Sequence, residues 1–292
     1  MEEKMPVKEG EYCGFQTVIE EPGILIVTFN RPESLNASTA PMKRDLVELL
    51  TQTQMDDAVR VVVFTGEGQA FWAGDNLKGY DGESTELPPI HPGHDSASGT
   101  YNGLRAISQA VNTAVRNLDK LSIAAINGYA IQTGFSLALA CDFRIAAHSA
   151  KMGSATLRFG LLPDEGGQWL LVQHLGVAKA MDFMMRKRIV DGVTAEALGL
   201  VHEAVADEDL YETTMELARE LATGPQVAMR MLKRSIHLAA DMTWEHSLDE
   251  IASKTAVTDH LPDAEEGVLA FVEKRQPKFN ALLDGRTEPL RP

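Results

Sequence analysis

The sequence predicts an α/β fold in which a unit of two strands and a helix repeats, followed by a run of helices. Three observations predict it. Two glycine-marked loops, Phe71-Trp72-Ala73-Gly74-Asp75-Asn76-Leu77-Lys78 and Asn127-Gly128-Tyr129-Ala130-Ile131-Gln132-Thr133-Gly134, each directly follow a β-branched apolar run. Each loop leads into a segment that can be helical. From about residue 207 onward the chain reads helical throughout, with no Pro/Gly/Ser linker to separate it from the core.

The elements follow in order. Residues 15–20 and 23–30 are apolar or alternating and are split by Pro22-Gly23, which predicts a hairpin. Pro41 to Asp57 places Leu46, Leu49 and Leu50 on one helical face. Residues 60–66 are a buried strand leading to the first loop. Gly79 to Tyr101 has no periodicity and contains Gly, Pro, Ser, Asp and His, which marks a functional or disordered stretch. A helix is predicted over 102–118, a strand over 121–126, a helix over Gly134–Cys141 and a strand over Phe143–Ala147. The glycine-rich turn Leu161–Gly167 and several helices follow. Thr194 as N-cap and Gly199 as C-cap bound one short helix before Leu200-Val201. The closing helices are predicted over 207–223, 225–239, 243–257 and 262–273. These boundaries divide the chain into a flexible leader (1–13), a core (14–205) and a helical C-terminal region (206–292).

Bulk properties exclude several classes. With 292 residues, 44% hydrophobic and 24% charged, the chain has the composition of a globular protein with a substantial core. A formal net charge of −15 argues against a nucleic-acid surface, and a polyanionic ligand would need a local basic patch. No apolar stretch is long enough to span a membrane, and the charged start Met1–Pro6 lacks the apolar segment of a signal peptide. Two cysteines, Cys13 and Cys141, make a disulfide scaffold or zinc cluster improbable and fit a reducing cytoplasm.

The two loops carry the chemistry. A strand–turn–helix junction leaves N–H groups unpaired at the helix start, where the helix dipole adds partial positive charge. Two such junctions facing one point form an oxyanion hole, which suggests chemistry on a carbonyl with charge held by backbone.

With these residues in place, the chain resembles the crotonase (enoyl-CoA hydratase/isomerase) superfamily. The resemblance rests on Asn30-Arg31-Pro32-Glu33-Ser34-Leu35-Asn36-Ala37, the Phe71–Lys78 loop, the Asn127–Gly134 loop running into Ala140-Cys141-Asp142, Leu161–Gly167, and Ala270–Phe279. These occur in family order over roughly residues 14–280. The resemblance implies a spiral of ββα units, a C-terminal trimerisation region, and a homotrimer or dimer of trimers. It implies an acyl-CoA thioester as substrate, with coenzyme A part of that substrate, no permanently bound cofactor and no metal. By position it assigns the two oxyanion amides to Asp75, where the family has a small residue, and Thr133, where it has glycine. Trp72, Ala73, Gly74, Leu77, Lys78, Gly134, Ser136 and Thr156 are implied substrate contacts. Arg31, Lys78 and Lys274 are candidates to meet the CoA phosphates.

The departures decide the reaction. Family hydratases use two glutamates, and those positions fall on Ser136 and Thr156. An ordinary hydroxyl is no general base near neutral pH, so two-glutamate hydration is disfavoured. Asp164 lies where some relatives carry a catalytic aspartate, including isomerases and a dehalogenase; burial at this turn would raise its pKa and suit proton transfer. The other reading is that Asp164 caps the helix starting near Gly166. Glu165 is a further candidate on the same grounds.

His91 and His94 lack metal-ligand spacing and read as a solvated loop or a lid contact. Ser136 loosely echoes a nucleophile elbow but has no His/Asp partner order, and reads better as a small residue beside the acyl chain. Trp72, Trp169, Met181, Met184 and Met185 read as packing, and Arg158 reads as either a surface residue or a cation near Asp164. The leading expectation is an acyl-CoA isomerase. A hydrolase of a C–C bond or thioester and a non-catalytic acyl-CoA binder are the alternatives.

Overall fold

The computed structural model describes residues 7–76 and 96–285. The chain opens with β1 (Gly10–Tyr12), β2 (Phe15–Glu20) and β3 (Ile24–Phe29), paired antiparallel in sequence order, so part of the expected leader is a strand. Then come α1 (Ala40–Met55), β4 (Val61–Gly66), β5 (Ala70–Trp72), α2 (Ala97–Gly103), α3 (Gln109–Asn117), β6 (Leu121–Ile126), β7 (Tyr129–Ile131) and α4 (Thr133–Ala140). Next are β8 (Phe143–Ala147), β9 (Lys151–Gly153), α5 (Gly167–Met185), β10 (Ile189–Asp191), α6 (Gly192–Leu198) and β11 (Glu203–Val205). Four helices close the chain: α7 (Leu210–Thr223), α8 (Gln226–Ala239), α9 (Trp244–Thr258) and α10 (Pro262–Glu273).

Among the described residues the strands form two sheets. A seven-stranded sheet runs β1-β2-β3-β4-β6-β8-β11, parallel from β3 onward, and a four-stranded sheet runs β10-β9-β7-β5. Every residue of β6 is buried, the pattern of a parallel strand covered on both faces. The repeat is visible in the pairs β4/β5, β6/β7 and β8/β9, where the chain leaves a strand of the large sheet and immediately adds one to the small sheet. The turns are too tight for side chains. A Cβ on Gly66 would lie 2.0 Å from the Ala70 oxygen, and one on Gly128 would lie 2.0 Å from the Gln69 oxygen.

Several boundaries differ from expectation, each for a local reason. β5, β7, β9 and β10 span three residues each, too short to show alternation; β5 and β7 fall at the two glycine-marked loops, and β9 and β10 were not expected. The aperiodic stretch ends in α2, whose start is capped by the Ser96 hydroxyl accepting from Gly99 N–H, and a π-type turn at Leu104–Ser108 joins α2 to α3. The cap of α6 is Asp191, whose carboxylate accepts from the N–H of Thr194; Thr194 is therefore inside the first turn. Gly199 ends that helix in the left-handed conformation, as expected. No helix among the described residues is long and apolar enough to cross a membrane.

Candidate functional site

β5 and β7 pair in parallel, with Ala70 opposite Tyr129 and Trp72 opposite Ala130. Their carboxyl ends therefore deliver residues 73–75 and 131–133 side by side. Gly134 makes this approach possible, because a Cβ there would lie 1.9 Å from the Trp72 oxygen. On the far side Ser38 bridges to Asp75: Ser38 N–H donates to Gly74 O at 2.9 Å and Asn76 N–H donates to Ser38 O at 3.1 Å. In that parallel pattern the Asp75 N–H points away from Ser38. Thr133 is the first residue of α4, so its N–H is among the first-turn amides that a helix leaves without an internal partner. Gln132 immediately before it adopts φ 49°, a left-handed conformation unusual outside glycine.

Asn36, fully buried, holds the loop from beneath. Its amide donates to Ala70 O at 2.7 Å and Glu67 O at 3.0 Å, while its Oδ1 accepts from Arg31 N–H. Trp72 also has no exposed surface; its indole N–H donates to Gly74 O and its ring packs 4.8 Å from Phe29. It supports the loop from behind, and the structure gives it no surface to offer a substrate.

The side chains form a buried polar cluster. The Thr133 hydroxyl lies 2.6 Å from Glu165 Oε1 and 3.3 Å from Asp75 Oδ1. The Ser38 hydroxyl donates to Asp75 Oδ1 at 2.5 Å. Lys43, from α1, places its ammonium 2.7 Å from Asp75 Oδ1, 3.0 Å from Ser108 Oγ and 3.5 Å from Glu165 Oε1. Gln132 extends the chain of contacts, its amide donating to Glu165 Oε2 and its Oε1 accepting from Ser154 and Thr156. Burial pushes the Glu165 carboxyl up to about 7, with Asp75 and Asp164 adding repulsion against the pull of Lys43 and Thr133. Burial works against the Lys43 charge, but the two carboxylates outweigh it and hold its pKa above the ordinary lysine value.

Asp164 and Glu165 precede α5, and α3 fixes their backbone: Gln109 donates to Asp164 O and Asn112 to Glu165 O, both at 2.8 Å. Asp164 is half-buried and lines a cavity of about 300 Å³ with Gln109, Asn112, Arg116, Glu165 and Trp169. The N-cap of α5 is Gly166, at φ 87° and without a side-chain cap, so Asp164 does not hold that position. Ser136 is buried against Gly167, where an added Cβ would lie 2.3 Å from its hydroxyl.

Other expected residues lie apart from this cluster. Arg31 donates to Ala37 O, and Lys274 is the exposed left-handed residue ending α10. Arg158 is exposed and donates to Lys187 O. Leu77, Lys78, His91 and His94 lie outside the described residues. Among the described residues no cluster of His, Cys, Asp and Glu could hold a metal ion. Sequence reasoning missed Lys43, although it occupies the same helical face as Leu46 and Leu50, a position where a lysine signals a buried partner.

Comparison with known proteins agrees with this architecture. The model of the enoyl-CoA hydratase/isomerase family matches residues 20–281. A 1,2-epoxyphenylacetyl-CoA isomerase of Escherichia coli K12 is 36% identical over 262 residues, 89% of this chain and 95% of its own. A carnitinyl-CoA dehydratase of Escherichia coli O157:H7 is 34% identical, covering 87% of this chain and 94% of its own. The crystal structure of an enoyl-CoA hydratase from Bacillus anthracis superposes with a TM-score of 0.83 at 28% identity, over 91% of this chain and 99% of that one. The expected spiral of ββα units thus has the fold of solved enoyl-CoA hydratases.

Proposed function

The chain belongs to the enoyl-CoA hydratase/isomerase family, and we propose that it is an acyl-CoA isomerase that moves a double bond through a thioester enolate. The observation that carries this reading is the meeting of Asp75 and Thr133, whose side chains are 3.3 Å apart at the ends of adjacent parallel strands. Their N–H groups receive the thioester oxygen, and Asp164, which lines a cavity together with Glu165, moves the proton. The Asp164 carboxylate takes a proton from the carbon next to the thioester. The electron pair then passes to the thioester oxygen, and the same carboxyl returns the proton two carbons further along. A neutral Glu165, which predominates below about pH 7, keeps a second negative charge away from that oxygen.

Isomerisation is favoured over hydration because a single positioned carboxyl suffices, and neither Ser136 nor Thr156 is acidic. The named relatives include both an isomerase, of 1,2-epoxyphenylacetyl-CoA, and a dehydratase, so the choice rests on the residues. Coenzyme A enters as part of the substrate, with Arg31, Lys78 and Lys274 meeting its phosphates, and no permanent cofactor is needed. The core (14–205) carries the acyl-CoA site, and the helical C-terminal region (206–292) assembles the protein as a homotrimer or a pair of trimers in the cytoplasm.

The test is proton exchange in deuterated water with a panel of 2- and 3-enoyl-CoA thioesters, followed by mass spectrometry. Exchange at the α and γ positions in the wild type, lost at least about 100-fold in Asp164→Asn, is the expected outcome. Free CoA or a cleaved acyl group would establish hydrolysis instead. Tight binding without exchange would establish a non-catalytic binder.

A further inference from the structure

A lysine with no exposed side-chain surface is rare unless its charge is matched. An ammonium has three N–H donors, and Lys43 has three acceptors within reach: Asp75 Oδ1, Ser108 Oγ and Glu165 Oε1. These acceptors come from three separate parts of the fold. Asp75 follows β5, Ser108 ends the turn before α3, and Glu165 precedes α5. Lys43 itself comes from α1, so one side chain joins four segments at a single buried point.

The charges explain why the join matters. Asp75 and Glu165 both approach the Thr133 hydroxyl, which has one proton to donate. Two carboxylates this close repel unless a cation lies between them or one is protonated. The charged groups facing this point among the described residues are Lys43, Asp75, Asp164 and Glu165, from α1, the β5 loop and the turn before α5. Lys43 is the cation that contacts both Asp75 and Glu165, and Arg116 lines the cavity beside Asp164 and Glu165. Without Lys43, Glu165 has to stay protonated to higher pH, and the loop carrying Asp75 loses its ionic tie to the turn carrying Asp164 and Glu165.

We propose that Lys43 is a positioning residue, whose buried ammonium clamps the Asp75 loop to the Asp164–Glu165 turn so that the amide and the proton-moving carboxyl address one thioester. The inference rests on the isomerase reading for its kinetic consequence, but the clamp itself is testable without turnover.

The variants are Lys43→Met, which keeps length and loses charge, and Lys43→Ala. A cavity of about 190 Å³ bordered by Lys43, Val47, Ala106 and Ile107 gives small amines a route to the vacated space in the second variant. With a 3-enoyl-CoA thioester, Lys43→Met is expected to lower kcat by about 10- to 100-fold and change KM by less than about 3-fold. Methylamine or ethylamine should restore part of the loss in Lys43→Ala. A rise in KM alone, or unchanged kcat, would overturn the clamp. The second readout uses the free proteins: isotope-edited infrared titration of the Glu165 carboxyl. Its midpoint should move to higher pH in Lys43→Met, and an unmoved midpoint would overturn the proposal whatever the enzyme turns over. If the wild type itself shows no exchange while the midpoint moves, the isomerase reading fails and the clamp stands. If Lys43→Met does not fold, Lys43→Gln repeats both measurements with a neutral donor of similar reach.

Discussion

Glu165 sits in an environment far from that of an ordinary carboxyl. Its carboxyl is held at about 7 by burial, against an ordinary value of 4.5. The folded state therefore binds this proton more tightly than the unfolded chain does. The resulting stability is present in full below about pH 4.5 and is lost as pH rises through about 7. The difference across that window is on the order of 3 kcal/mol. Glu165→Gln removes the titrating group and should flatten the dependence, so urea unfolding at pH 5 and pH 8 should show a marked fall for the wild type and little for the variant. An equal fall in both would assign the pH dependence elsewhere. At this scale the sequence was partly legible. Asp75, Thr133 and Asp164 were singled out by their positions in the family resemblance and Glu165 as the neighbour of Asp164, and the fold brings the side chains of Asp75, Thr133 and Glu165 together. Lys43 was not read: its place on the leucine face of α1 signals burial, but only the fold shows the carboxylates it faces.

The elements that matter most are the paired short strands β5 and β7, since they bring the two loops together. Gly134 is where that pairing is most sensitive. Gly134→Ala places a methyl group 1.9 Å from a backbone oxygen that cannot rotate away. It should cost roughly 1–3 kcal/mol and separate Thr133 from Asp75. A thermal melt together with the exchange assay checks it: both Tm and rate should fall, and a variant of wild-type stability and rate would mean that α4 can shift without harm. The long elements were legible in the sequence because β3, β4, β6 and β8 are apolar runs bounded by turn residues. The three-residue strands were not, because their pairing comes from neighbouring backbone and leaves no periodicity. Likewise Thr194 looked like a cap because threonine is a common N-cap residue, whereas the structure puts Asp191 in that position.

For the whole molecule, the C-terminal helices leave apolar surface uncovered. Trp244, Val268, Phe271 and Val272 are exposed, Phe271 at 86%. Apolar surface of this kind fits a self-association face. If this face makes the proposed trimer or hexamer, Phe271→Asp should shift the sedimentation-velocity distribution toward smaller species; a wild-type monomer would contradict the proposed assembly. The central claim concerns the thioester oxygen, and it is tested most directly by isotope-edited infrared spectroscopy of a ¹³C-labelled thioester carbonyl bound to Asp164→Asn. Two backbone donors at Asp75 and Thr133 should lower the carbonyl frequency below its value in water. A frequency equal to that of the free thioester would contradict the account.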